Sequence, residues 1–89
     1  MSKRKKRLLK IQQNQNNVSF DELKQVLKDY EINLVRSRGS HHYFAYTINN
    51  TEKLFVVPYA KPVKTVYVKA ALQLIALLNK DEDEDESDE

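Results

Sequence analysis

One short segment of this chain, residues 36–44, concentrates the side chains that could carry out chemistry. Two arginines, two serines and two histidines fall within seven positions, in the order Arg36-Ser37-Arg38-Gly39-Ser40-His41-His42. An imidazole can accept or donate a proton near neutral pH, and guanidinium groups bind phosphate through charge-assisted hydrogen bonds. These are the groups that phosphodiester cleavage requires when the 2′-hydroxyl of RNA is the attacking nucleophile.

The segment leads into a strand whose alternation predicts which side chains are accessible. Residues 40–48 place His42, Phe44, Tyr46 and Ile48 on one face and His41, Tyr43, Ala45 and Thr47 on the other. If Phe44 is part of the core, His42 faces inward and His41 faces solvent. We therefore predict that His41 is the catalytic residue. Arg36 and Arg38 would lie alongside it, and the amides of the Gly39-Ser40 turn would face an anion.

Other interpretations of the same residues stay open. Two adjacent histidines in an alternating strand are often ordinary half-exposed residues. The tyrosines are candidates either for stacking on bases or for packing, namely Tyr43, Tyr46, Tyr59 and Tyr67. A metal site is disfavoured because the chain has no cysteine and adjacent strand residues point apart. The sequence contains no glycine-rich phosphate loop and no Ser-His-Asp constellation.

The elements that must position this segment can be predicted from hydrophobic spacing. An apolar stripe at three- and four-residue intervals predicts a helix over residues 20–30, with Ser19 and Glu22 as a capping box. Short strands are predicted at residues 32–37, 40–48 and 53–58. A second helix is predicted at about residues 66–79.

These elements are separated by recognisable breaks. Gly39 is the only glycine, which indicates a turn with positive φ or a close backbone approach. Residues 49–52 form a predicted hairpin turn because asparagine tolerates left-handed conformations. Pro58 and Pro62 bracket a loop, and Thr65 can cap the last helix. The order α-β-β-β-α predicts an α+β two-layer sandwich, with a three-stranded antiparallel sheet and both helices on one face.

Charge divides the chain into three parts. Residues 1–17 are basic and then polar, and they are predicted to be a disordered extension. Residues 18–80 are the predicted domain. Residues 81–89 carry eight carboxylates and are predicted to be a disordered acidic tail. Residues 1–80 hold fifteen basic and five acidic side chains, a net charge of +10 that attracts polyanions such as nucleic acid.

Composition narrows the class of protein further. The 89 residues suffice for one domain, and the absence of cysteine excludes disulfides and thiolate metal sites. No apolar run approaches the roughly 20 residues that span a bilayer. We therefore expect a cytoplasmic protein without a membrane partner.

The arrangement of several short motifs resembles the HicA toxins, small mRNA interferases of bacterial and archaeal toxin–antitoxin pairs. The resemblance covers about residues 19–79. It is carried by Gly39-Ser40-His41 with Phe44, then a hairpin, Val56-Val57-Pro58, Val63-Lys64 and the helical Val68-Lys69-Ala70-Ala71-Leu72. The family fold is an α-β-β-β-α sandwich like that of double-stranded-RNA-binding domains, which agrees with the predicted order.

The resemblance implies a function for the segment. The family's catalytic histidine falls on His41, with Gly39 and Ser40 shaping its turn. The family cleaves RNA without a metal or small-molecule cofactor, and an antitoxin of the HicB type blocks the histidine face. The resulting hypothesis is an endoribonuclease with His41 as general acid or base. Phosphate contacts would come from Arg36, Arg38, Lys61 and Lys64, and Tyr43 would position a base.

The sequence also departs from the family pattern. Ala60 stands where many members have a second histidine, and Lys64-Thr65-Val66-Tyr67-Val68 replaces their Lys-Pro-Gly-Thr-Leu. One alternative is therefore a non-catalytic RNA-binding module on the same fold. Another is a protein-interaction module whose charged ends select its partner.

Overall fold

A computed structural model describes residues 3–78 of the chain. The predicted acidic tail, and Asn79 at the expected end of the last helix, lie outside the described residues. The elements in chain order are α1 (Lys3–Gln13), α2 (Phe20–Asp29), β1 (Asn33–Arg38), β2 (His41–Ile48), β3 (Thr51–Pro58) and α3 (Thr65–Leu78).

Helix α2 begins where the capping box predicts. The backbone N–H of Glu22 donates to Ser19 Oγ at 3.1 Å, and the backbone N–H of Ser19 donates to Glu22 Oε1 at 3.0 Å. These two bonds satisfy amides that a helix start would otherwise leave unpaired. The helix ends at Asp29 with Tyr30 as its C-cap, and Glu31 follows with a φ of 65°.

The three strands form one antiparallel sheet in the order β1-β2-β3. Two-residue turns connect them, because Arg38 pairs with His41 and Ile48 pairs with Thr51. Asn49 and Asn50 both have positive φ, at 53° and 62°, as a type I′ hairpin turn requires. The turn predicted over residues 49–52 is therefore shorter than expected, and β3 starts within it.

Both α2 and α3 cover the same face of the sheet, as predicted. Phe44 and Val57 on that face are 1% and 0% exposed, and the rings of Phe44 and Phe20 of α2 lie 6.2 Å apart. Helix α3 contributes three residues to the same buried cluster, namely Val68, Ala71 and Ile75. Leu72 of the same helix is only partly buried, whereas Ala71 is 0% exposed. The α+β class, with an α-β-β-β-α core, is confirmed.

The prediction of a disordered N-terminal extension is wrong for residues 3–13, because they form helix α1. Ile11 is 2% exposed and belongs to the main buried cluster. The Arg7 guanidinium donates to both carboxylate oxygens of Asp29, at 2.6 and 2.8 Å. Lys10 Nζ lies 2.9 Å from Glu22 Oε2. Helix α1 thus packs on α2 largely through charged side chains, which a search for apolar spacing does not count. The folded unit therefore extends N-terminal to the predicted domain boundary at residue 18.

Candidate functional site

The turn between β1 and β2 holds His41 at the start of its strand. Gly39 has a φ of 57°, which places it as the first central residue of a two-residue hairpin turn of the type II′ pattern. An added Cβ at Gly39 would have no heavy atom within 4 Å. The position therefore needs glycine for its backbone conformation and not for space.

A β-bulge at Val35 determines which way the arginines of β1 face. Leu34 pairs with Phe44, but Arg36 pairs with Tyr43, so two steps along β1 match one step along β2. Strict alternation from the partly buried Leu34 would turn Arg36 toward the helices. The extra residue reverses the phase of the strand, and Arg36 and Arg38 share the face of His41.

The uncovered side of the sheet, called here the open face, therefore carries four of the predicted site residues: Arg36, Arg38, His41 and Tyr43. His41 is exposed and pairs with Arg38 on one side and Pro58 on the other. The guanidinium carbon of Arg36 lies 5.0 Å from the centre of the Tyr43 ring. This stacking arrangement is favourable and holds the guanidinium plane over the ring.

His42 lies on the opposite face, as predicted, at the margin of the helix layer. Its ring centre is 4.6 Å from that of Phe20 and 6.1 Å from that of Tyr59. His42 Nδ1 lies 3.0 Å from the Ser40 carbonyl oxygen, so Nδ1 must carry the hydrogen and donate it. The same carbonyl accepts the Tyr59 backbone N–H at 2.6 Å. These two bonds fix the turn that presents His41.

The two predicted lysines lie apart from this group. Lys61 lines a groove with Lys10 of α1, Glu22 of α2 and Asn14 of the segment between these helices. Lys64 is exposed immediately before α3, and its carbonyl oxygen accepts the backbone N–H groups of Tyr67 and Val68. The predicted phosphate contacts therefore divide into an arginine group on the open face and a lysine group in the loop that leads to α3.

The tyrosines separate in the same way. Tyr46 and Tyr67 pack against the buried cluster, and the ring centre of Tyr59 is 5.1 Å from that of Phe20. These three fit the packing interpretation. Tyr43 belongs to the open face, beside Arg36, and is the tyrosine available to a ligand bound near His41.

The basic residues of α1 and of the open face differ in their electrostatic surroundings. Hydrogen bonds from Arg7 lower the pKa of the Asp29 carboxyl, and Lys10 together with the Ser19 backbone lowers the pKa of Glu22. Within residues 3–78, by contrast, the structure places no carboxylate within ion-pair distance of Arg36 or Arg38. Their charges are therefore available to an anionic ligand.

Within residues 3–78, no group of three His, Asp or Glu side chains is arranged to hold a metal ion. No helix in this range has the length and apolar character to cross a membrane. Comparisons with protein-family models, with curated proteins and with solved structures gave no significant match to this chain.

Proposed function

We propose that this chain is a HicA-like endoribonuclease that cleaves mRNA without a metal ion, with His41 as its general acid or base. The observation that supports the proposal best is the cross-strand pairing of His41 with Arg38 on the open face. Directly paired residues of an antiparallel sheet have Cβ atoms about 4.5–5.5 Å apart. One phosphodiester can therefore contact both side chains.

The reaction needs nothing beyond the substrate and these side chains. Arg36 and Arg38 bind the non-bridging phosphate oxygens and stabilise the charge that develops on them. His41 removes the proton of the 2′-hydroxyl, whose oxygen attacks phosphorus, and passes this proton to the 5′ oxygen as it leaves. The bond between phosphorus and the 5′ oxygen breaks, giving a 2′,3′-cyclic phosphate and a 5′-hydroxyl end.

Tyr43 and Arg36 supply a surface for a base next to the reacting phosphate. Unpaired RNA bases stack on aromatic rings and on guanidinium planes. Because Arg36 covers one face of the Tyr43 ring, the base stacks on the outer side of this pair. A base in a duplex is already stacked on its neighbours, so the arrangement favours single-stranded RNA.

We further propose that a HicB-type antitoxin neutralises the enzyme by covering the open face, in the cytoplasm where mRNA is translated. Exposed apolar residues support this, since Val35 is 55% and Leu54 is 48% exposed on or beside the same face. An apolar patch bordered by arginines fits a protein partner that presents carboxylates to them. Co-purification of the two proteins, lost when Leu54 is replaced by Lys, tests this contact.

The test of the activity is cleavage of 5′-labelled single-stranded RNA in the presence of EDTA. We expect His41→Ala to lower the cleavage rate by about 10²–10⁴-fold, the usual contribution of a general acid or base. Its melting curve should match that of the parent. Thr47→Ala is the matched control, because Thr47 is exposed on the same face at the far end of β2. Equal cleavage by the parent and His41→Ala would overturn the proposal.

A second candidate function is RNA binding without cleavage. It is favoured by Ala60 and by the presence of a single histidine on the open face, so that one imidazole would have to serve both proton transfers. The same assay separates the two functions. A shifted RNA band with no cyclic-phosphate product in the parent protein would support the binding module.

A further inference from the structure

Helix α3 carries apolar side chains on its outer side as well as on its inner side. Val66 is 64% and Leu77 is 57% exposed, and the half-buried Ala70 and Leu74 lie between them. The spacing of these four residues, at four, four and three positions, aligns them along one side of the helix. This row is called the outer stripe. The polar residues Lys69 and Gln73 are exposed beside it, and no element among the described residues covers Val66 or Leu77.

The charges around α3 are arranged unfavourably for an isolated helix. Its first turn contains no acidic residue, and its last turn contains no basic residue. Exposed Lys61 and Lys64 precede the N-terminus, which is the positive end of the helix dipole. Beyond the C-terminus, the negative end, Lys80 is followed by the eight carboxylates of residues 81–89.

We propose that the outer stripe is covered by the same stripe of a second copy of this chain, with the two α3 helices antiparallel. In this orientation the C-terminal end of one α3, after which the sequence carries eight carboxylates, lies beside Lys61 and Lys64 at the start of the partner's helix. A parallel pair would bring the two C-terminal ends together, each followed in sequence by eight carboxylates. Charge complementarity therefore selects the antiparallel pair.

The size of the contact predicts its strength. A helix of 14 residues is about 21 Å long, and a pair of such helices buries less area than a standard protein interface. The association is therefore weak and depends on the charges at the two ends. Because the inner side of α3 packs on the covered face of the sheet, the pair leaves both open faces free. The proposal is independent of the ribonuclease proposal and fails separately from it.

Sedimentation equilibrium of the full chain at low salt tests the pair. We expect a reversible dimer whose dissociation constant rises at least about tenfold on deletion of residues 81–89, and similarly at high salt. Leu77→Lys should weaken the dimer at least about tenfold. Its matched control is Ala76→Lys, which adds the same charge at the neighbouring exposed position outside the stripe, and this variant should stay within about twofold of the parent.

Disulfide trapping tests the orientation, since the chain has no cysteine of its own. In an antiparallel pair Val66 lies opposite Leu77 of the other copy. A mixture of Val66→Cys and Leu77→Cys should cross-link on oxidation, whereas each variant alone should not. A monomer at every concentration, or equal weakening by Leu77→Lys and Ala76→Lys, would overturn the proposal. Self-linking of the single variants would overturn the antiparallel arrangement.

Discussion

The basic residues of α1 and those of the β1–β2 hairpin are chemically similar and have opposite structural surroundings. In α1, Arg7 binds Asp29 through two hydrogen bonds and Lys10 pairs with Glu22. In the hairpin, Arg36 and Arg38 are exposed, and within residues 3–78 no carboxylate lies at ion-pair distance from either. Arg7 and Lys10 therefore attach α1 to α2, whereas Arg36 and Arg38 are available to a ligand.

The difference shows that a positive charge indicates a function only when the fold leaves it unpaired. By sequence, residues 3–10 form the denser basic cluster, and a count of charges would make it the nucleic-acid contact. Three of its cations, Arg4, Arg7 and Lys10, instead contact α2 or its C-cap residue. Stability and ligand binding should therefore respond to substitutions in different regions.

The largest expected effect is on the attachment of α1. Ile11→Ala removes a side chain that is 2% exposed, and burying a smaller group leaves a cavity, so we expect a loss of roughly 2–5 kcal/mol in the free energy of unfolding. Urea denaturation measures it. Leu9→Ala is the control, because Leu9 is 51% exposed in the same helix. If both variants unfold like the parent, α1 is the loose extension that the sequence predicts.

The next effect is on RNA binding by the hairpin. Replacing Arg36 and Arg38 together by Ala should lower affinity for single-stranded RNA. It should also make the dependence of log affinity on log salt shallower by about 1.4, or about 0.7 for each lost phosphate contact. The matched pair is Lys3 with Lys6, both exposed in α1. Filter binding at several salt concentrations gives the slopes. Equal changes in RNA affinity and in salt slope for the two double variants would show that α1 and the hairpin do not differ in RNA binding.

The smallest effect is the acid sensitivity of the α1–α2 contact. The lowered pKa of Asp29, caused first by its hydrogen bonds from Arg7, means that the folded state favours the ionised carboxyl. This stabilisation is present above the ordinary aspartate pKa of about 3.9 and is lost as pH falls through the lower folded value. Asp29→Asn should flatten the fall in Tm below about pH 4. An identical pH profile for the variant would exclude this contribution.

Much of the sheet and of α2 was predictable because local chemistry and packing agree there. The Ser19 capping box, the alternation through Phe44 and the asparagines at residues 49–50 each fix local backbone geometry and also fit the final packing. Helix α1 was not predictable by the same means. Its ion pairs are made by Arg7 and Lys10, whose partners come from α2, so these contacts exist only once both helices are in place.

The exposed position of His41 was predictable from the sequence, whereas the feature that orients the neighbouring arginines was missed. His41 follows from the period of β2, but the facing of Arg36 and Arg38 depends on the bulge at Val35. A signal for it was present in the sequence. Ile32 and Leu34 on one face would, by strict alternation, continue as two buried arginines, and burial of unpaired guanidinium groups is costly. Lys61 could not be placed, because its position depends on the path of a loop.

The bulge gives β1 one residue more than its pairing with β2 requires. A chain that lacked Val35 would have Arg36 directly after Leu34, and regular alternation would again place both arginines on the face of His41. A chain that kept Val35 but paired it in a regular ladder would instead turn both guanidinium groups toward Phe20 and Phe44, where desolvation costs several kcal/mol per ion. The two charges therefore act as a lock on strand register, because they make the slipped pairing unstable. This strand should tolerate loss of Val35 better than loss of the bulge.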